Sequence, residues 1–215
     1  MGQVSHDPAA DRAIVAASDW LELVIDGLTF DLLGLAPGRS LQERTPRYCF
    51  GLEAAALADC ERIGLAPGPH LAGAANAMPV VRTMLRLASA LTREWDCTLG
   101  TLWLPADSAM HRSLFMSAID AWLAGGAFPA LGLTGVTERA DGRMASDGLA
   151  FFTGQELVLE TALGADRIAA TRLLVRLIDR LIEGPPLVGE TSLLLEDGRS
   201  LRLAGSASAI EVSAG

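Results

Sequence analysis

The sequence predicts an α+β fold, a largely antiparallel sheet with helices packed mainly on one face, and three observations carry that expectation. Asp-Gly pairs at 26–27 and 197–198 each sit between short apolar runs, and Asp-Gly supplies the positive φ of a tight hairpin turn. Two long stretches, from Asn76 and from Asp166, repeat apolar residues every three or four positions, as a helix lying on a core does. Short β-rich runs bounded by Gly, Pro and Asp lie between them.

Taken in chain order, Trp20–Ile25 and Leu28–Leu33 form the first hairpin around Asp26-Gly27. Pro37-Gly38 breaks the chain, and residues 39–46 are a polar connection. The Ala-rich residues 52–63 read as a short helix, ended by Gly64 and the loop Pro67-Gly68-Pro69. Asn76 is placed to cap a longer helix with Pro79 in its first turn, burying Val81, Met84, Leu85, Ala88, Leu91 and Trp95. A strand over 99–104 stops at Pro105, and Asp107 or Ser108 is placed to cap a helix carrying Phe115, Ala118, Ile119, Trp122 and Leu123 on its buried side.

Residues 114–136 hold a single charge, Asp120, over a length that would span a bilayer. The helical pattern is interrupted at Gly125-Gly126, so a core helix followed by a buried strand over 128–136 is the reading. After a turn at Asp141-Gly142 come β-rich runs at 149–152 and 156–160. The last helix begins near Asp166, buries Ile168, Thr171, Leu174, Val175, Ile178, Leu181 and Ile182, and stops at Gly184-Pro185-Pro186. A second hairpin spans 193–203. With no internal repeat, linker or change of composition, the expectation is one domain over 1–215, residues 1–17 being a candidate flexible end.

Composition removes several functions. The 215 residues are 50% hydrophobic and 20% charged, enough for a packed core, and the net charge of −9 opposes nucleic acid and anionic membranes alike. All seventeen basic residues are arginine. Without lysine, a Walker loop, a Schiff-base mechanism and a kinase strand lysine are excluded. Cys49, Cys60 and Cys97 have irregular spacing and no C-x-x-C, which reads as a reduced, cytoplasmic protein. The first residues carry neither the basic start and apolar run of an export signal nor a complete lipidation motif.

No metal or cofactor is expected. His6, His70 and His111 are far apart without ligand spacing, and Cys49, Cys60 and His70 would meet only through the fold. No G-x-S-x-G elbow occurs, and Asp107, Ser108 and His111 read as ordinary helix-start residues, with His111 half-buried at the edge of the apolar face. Gly132, Gly135, Gly148 and Gly154 form no dinucleotide fingerprint and read as turns or bulges. Arg172, Arg176 and Arg180 run along one ridge, interleaved with Asp179 and Glu183 as a solvated face is. The candidate partner or ligand contacts are therefore three, and none is assigned a catalytic role: Trp103, an aromatic expected half-exposed at a strand end; His111; and Glu156, which must be paired or protonated if it turns inward.

Three stretches carry a family likeness. Residues 101–106 (Thr-Leu-Trp-Leu-Pro-Ala), Ala121 to Gly126 with Phe128-Pro129 after it, and Asp147 to Leu157 with its Gly-Leu…Gly-x-Glu-Leu pattern resemble the bacterial domain of unknown function 4261 family, over roughly residues 71–182. The resemblance implies an α+β domain similar to chaperone-like and secretion-associated adaptors, and transfers no catalytic residue. The leading expectation is a non-enzymatic interaction module, dimeric or bound to a protein partner. A hydrolase would require Glu156, His111 and an Asp in one pocket, and a small-ligand binder would require a sizeable apolar cavity.

Overall fold

The Asp-Gly hairpin at the start of the chain forms as read. In the structure, a computed structural model that describes residues 3–6, 20–35, 41 and 44–215, Asp26 and Gly27 both have positive φ, 52° and 77°, and join β2 (Trp20–Ile25) to β3 (Leu28–Leu33). β1 (Gln3–His6) pairs with β2, a strand the sequence reading did not anticipate. The rest of the expected flexible end, the Pro37-Gly38 break and half of the 39–46 connection lie outside the described residues. β4 (Tyr48–Phe50) follows, and then a first correction. The Ala-rich stretch makes only a single 3-10 turn at Ala54–Leu57, because the chain is soon recruited as β5 (Gly64–Pro67), paired with β3. The first sheet runs β1-β2-β3-β5 and is antiparallel throughout.

α1 (Met78–Glu94) has its proline in the first turn as expected, but Ala77 and not Asn76 is the N-cap, and no side chain caps it. Val81, Met84 and Leu85 are buried as read, and Val80, Thr83, Leu87, Ser89 and Thr92 complete the face in place of Ala88 and Leu91. β6 (Gly100–Trp103) and β7 (Ser108–His111) come next, with Asp107 in a left-handed conformation between them. The expected capping role of Asp107 or Ser108 is thereby overturned: Ser108 lies in a strand, and His111 caps α2 (Arg112–Leu123). α2 buries Phe115, Ile119 and Trp122 and packs on α1.

Residues 128–136 form no continuous buried strand. α3 (Ala130–Leu133) is a kinked turn, with Gly132 at φ 127°, and leads into β8 (Gly135–Glu138). β9 (Met144–Asp147) returns antiparallel to it. The apolar run 149–152 is helical, not extended, in α4 (Ala150–Thr153). β10 (Glu156–Leu159), α5 (Thr161–Gly164) and α6 (Arg167–Leu181) follow. Asp166 caps α6, its carboxylate accepting from the amides of Ile168 and Ala169. Leu174 and Ile178 are buried as read, joined by Ala170, Leu173 and Leu177, whereas Ile168 is 66% exposed because the buried face is rotated away from it. β11 (Gly189–Leu194), β12 (Ser200–Gly205) and β13 (Ala209–Ala214) close the chain.

The second sheet runs β11-β12-β13-β10-β9-β8, antiparallel except for the β10–β13 pair, and α6 packs on β9 and β10. A third sheet has three short strands. The fold class is the α+β arrangement expected. The chain falls into two compact units, Met1–Thr101 with His111–Ala124, and Leu102–Met110 with Gly125–Gly215. Each unit is drawn from two separated segments. Among the described residues no helix is long and apolar enough to cross a membrane.

Candidate functional site

Of the three residues singled out from sequence, Glu156 is the most fully engaged. It starts β10 beside β9, and its carboxylate turns toward the loop that leaves β9. Gly148, with φ 85°, folds that loop so that three successive amides converge on one carboxylate. Oε1 accepts from Gly148 N and Ala150 N at 2.9 Å each, and Oε2 from Ser146 Oγ at 2.5 Å and Leu149 N at 3.2 Å. Ser146 Oγ in turn accepts from Leu157 N. A carboxyl group held by three backbone amides and a hydroxyl caps α4 and ties β9 to β10. The loop has no room for a side chain at position 148, since a Cβ there would lie 2.7 Å from the Ala106 Cβ.

Trp103 is not half-exposed. It is 6% exposed in an aromatic cluster, stacked on Phe152 at 5.9 Å and edge-on to Phe151 at 5.4 Å, with Phe128 edge-on to Phe152. The strand-end position that reads as an exposed anchor is covered because the run 149–152 is helical and presents both phenylalanines to the indole. Its buried Nε1 has no hydrogen-bond partner among the described residues.

His111 is half-buried, and its Nδ1 accepts from Ser113 N at 3.3 Å and lies 2.9 Å from Ser113 Oγ. Both bonds span two residues and close the first turn of α2, so the imidazole works as a cap, with Nδ1 accepting from the Ser113 amide. Ser113 is the partner the sequence reading missed, and its position two residues after His111 at a helix start was the available signal. Ser108, weighed as a nucleophile, is 1% exposed and donates its hydroxyl to Gly132 O. His111 belongs to the first unit and Glu156 to the second.

His70 Nε2 bonds Thr29 Oγ1 at 2.7 Å, and among the described residues no three His, Cys, Asp or Glu side chains group as metal ligands. Arg172, Arg176 and Arg180 are exposed along α6. Glu22 and Asp31 face each other across β2 and β3, and burial, then the Glu22 charge, pushes the Asp31 carboxyl above its ordinary value against the opposing pull of His70. A pocket of about 150 Å³ lies beside Arg44, Leu57 and Arg62. It is smaller than the several hundred Å³ that ligand pockets commonly occupy.

The remaining feature is an edge. β11 ends the six-stranded sheet, pairs with β12 without a bulge over all six residues, and is exposed along its length except for the half-buried Leu193. Leu195 N donates to Arg199 O at 2.8 Å, which fixes the phase of the hairpin. Hydrogen-bonded pairs alternate along an antiparallel ladder, so Leu193–Leu201, Thr191–Leu203 and Gly189–Gly205 bond to each other. The N–H and C=O groups of Glu190, Ser192 and Leu194 therefore point away from β12. Two other edges are guarded: β5 carries Pro67, and β8 is four residues long with Glu138 paired to Arg167. β11 has neither a basic residue nor a proline, and Leu194 is 68% exposed.

No family model, curated protein or solved structure matches the chain.

Proposed function

We propose that this chain is a non-enzymatic protein-interaction module that takes a polypeptide strand onto the β11 edge of its six-stranded sheet. The observation that carries the reading is the row of outward backbone groups at Glu190, Ser192 and Leu194 on an exposed, unguarded edge. Main-chain hydrogen bonds from such an edge supply affinity, and side chains on alternate faces supply selectivity. The engagement of Glu156 and His111 in local capping bonds favours this reading over hydrolysis. Free Cys49, Cys60 and Cys97 accord with the cytoplasm as its setting. The likeness of the Asp147–Leu157 stretch to the 4261 family carries no activity and adds none here.

The test is hydrogen exchange on the full chain with short synthetic peptides of alternating valine and threonine, flanked by lysine. Binding is expected to slow exchange at Glu190, Ser192 and Leu194, and Ser192→Pro is expected to abolish it. The 192 amide points outward, so proline there removes no hairpin bond and leaves the fold intact. Exchange at all three amides that is as fast as in an unpaired strand and stays so with peptide added would overturn the reading.

A further inference from the structure

We infer that the strand taken up at this edge is the β11 of a second copy, added antiparallel about a two-fold axis through Ser192. The inference rests on the β11 reading and names its occupant. The three outward residues are evenly spaced, with Ser192 at the centre. Setting Ser192 against Ser192 of the second copy places Glu190 opposite Leu194 and Leu194 opposite Glu190, so every outward N–H and C=O finds a partner. A register shifted by two residues leaves one of the three facing chain outside the strand, because Gly189, with φ 77°, bends the backbone at the start of β11.

Side chains agree with the same register. Glu190, Ser192 and Leu194 share one face, and Thr191 and Leu193 share the other with the buried Leu201 and Leu203. Across the axis Leu193 meets Thr191 of the second copy, so the apolar row Leu201–Leu193 is extended and the half-buried Leu193 is covered. The charges permit the approach. Residues 189–205 hold Glu190, Glu196 and Asp197 against Arg199 and Arg202, nearly neutral in a chain of net charge −9. The two copies of Glu190 sit four positions apart along the ladder, about 13 Å, each opposite a leucine. Arg202, opposite Ser192 in its own hairpin, flanks the axis on both sides. The exposed Leu194 is shielded in the same step.

The experiment is mild oxidation of Ser192→Cys at micromolar protein, read by non-reducing electrophoresis against the wild type with its native cysteines. Directly opposed residues in a hydrogen-bonded antiparallel pair have Cα atoms about 5.5 Å apart, within disulfide reach. Ser192→Cys is expected to give a covalent dimer well above the wild-type background. Glu190→Cys alone is expected to give none, and Glu190→Cys mixed with Leu194→Cys to give the mixed dimer. Sedimentation of the wild type should show a concentration-dependent dimer that Ser192→Pro abolishes. A chain that stays monomeric with no excess Ser192→Cys dimer overturns the inference, as does cross-linking of Glu190→Cys to itself. Retained peptide protection at Glu190, Ser192 and Leu194 then leaves the interaction reading standing, whereas its loss sinks that reading separately.

Discussion

Removing the Glu156 carboxylate tests the account of the second unit at its most connected point. In Glu156→Ala the amides of Gly148, Leu149 and Ala150 and the hydroxyl of Ser146 lose their shared acceptor. Gly148, Leu149 and Ser146 are buried, so water replaces the carboxylate only in part. A hydrogen bond to a charged group contributes about 1.5–3 kcal/mol, and stranding a buried donor costs about 1–3 kcal/mol. The four bonds share one acceptor and relax together, so their costs overlap, and the expected total is ~3–4 kcal/mol. At about 2–4 °C per kcal/mol for a chain of this size, the melting temperature falls by roughly 10 °C. Glu156→Gln keeps an oxygen for Gly148 and Ala150 but turns an amino group toward the Leu149 amide, and is expected to cost about half as much. The assay is urea unfolding combined with amide exchange at residues 148–150, which isolates the loop from the rest of the chain. A loss below ~1 kcal/mol, or exchange at those amides no faster than in the wild type, would refute the keystone role of Glu156.

Three further outcomes follow from the same reasoning. Asp166→Ala removes the acceptor for the Ile168 and Ala169 amides and should cost about 1 kcal/mol, with faster exchange confined to the first turn of α6. Gln155 is 2% exposed, accepts from Leu187 N and donates to the carbonyls of Leu187 and Ser206, so Gln155→Leu should cost about 3 kcal/mol; equality with the wild type in urea unfolding would contradict it. The third concerns pH. Asp31 holds its proton more tightly folded than unfolded, so ionising it lowers stability as pH rises above the ordinary value of 3.8 and through the higher folded value. Asp31→Asn should therefore melt above the wild type at neutral pH, and the difference should close as pH falls below 3.8. A difference independent of pH would show that Asp31 carries no such penalty.

What was legible in the sequence was whatever local chemistry decides. Asp-Gly pairs mark both hairpins because each turn needs positive φ, which Asp26 and Gly27 supply in the first and Gly198 alone in the second. Proline in the first turn of α1 and Asp166 at the start of α6 act within a few residues, and the three-and-four spacing located both helices. The face of α6 was read less well. Ile168 is apolar yet exposed, while Ala170 and Leu173 are buried, because the contact direction is set by the strands beneath and not by the helix itself.

Of the candidate site, the types of residue were legible and their environments were not. Glu156 reads as an acid beginning a strand, and its role appears only when β9 brings Ser146 and the Gly148 turn to it. Residues 149–152 are apolar enough for either strand or helix; the carboxylate seven residues beyond Leu149 supplies the cap that favours the helix, and that helix buries Trp103. The same holds for the edge. The sequence by itself determined that residues on either side of Asp197-Gly198 pair as a hairpin, since that depends on a turn and on alternation. Only the tertiary structure decided that β13 joins β10 and leaves β11 outermost among the described strands, because strand order is set by pairing between distant segments.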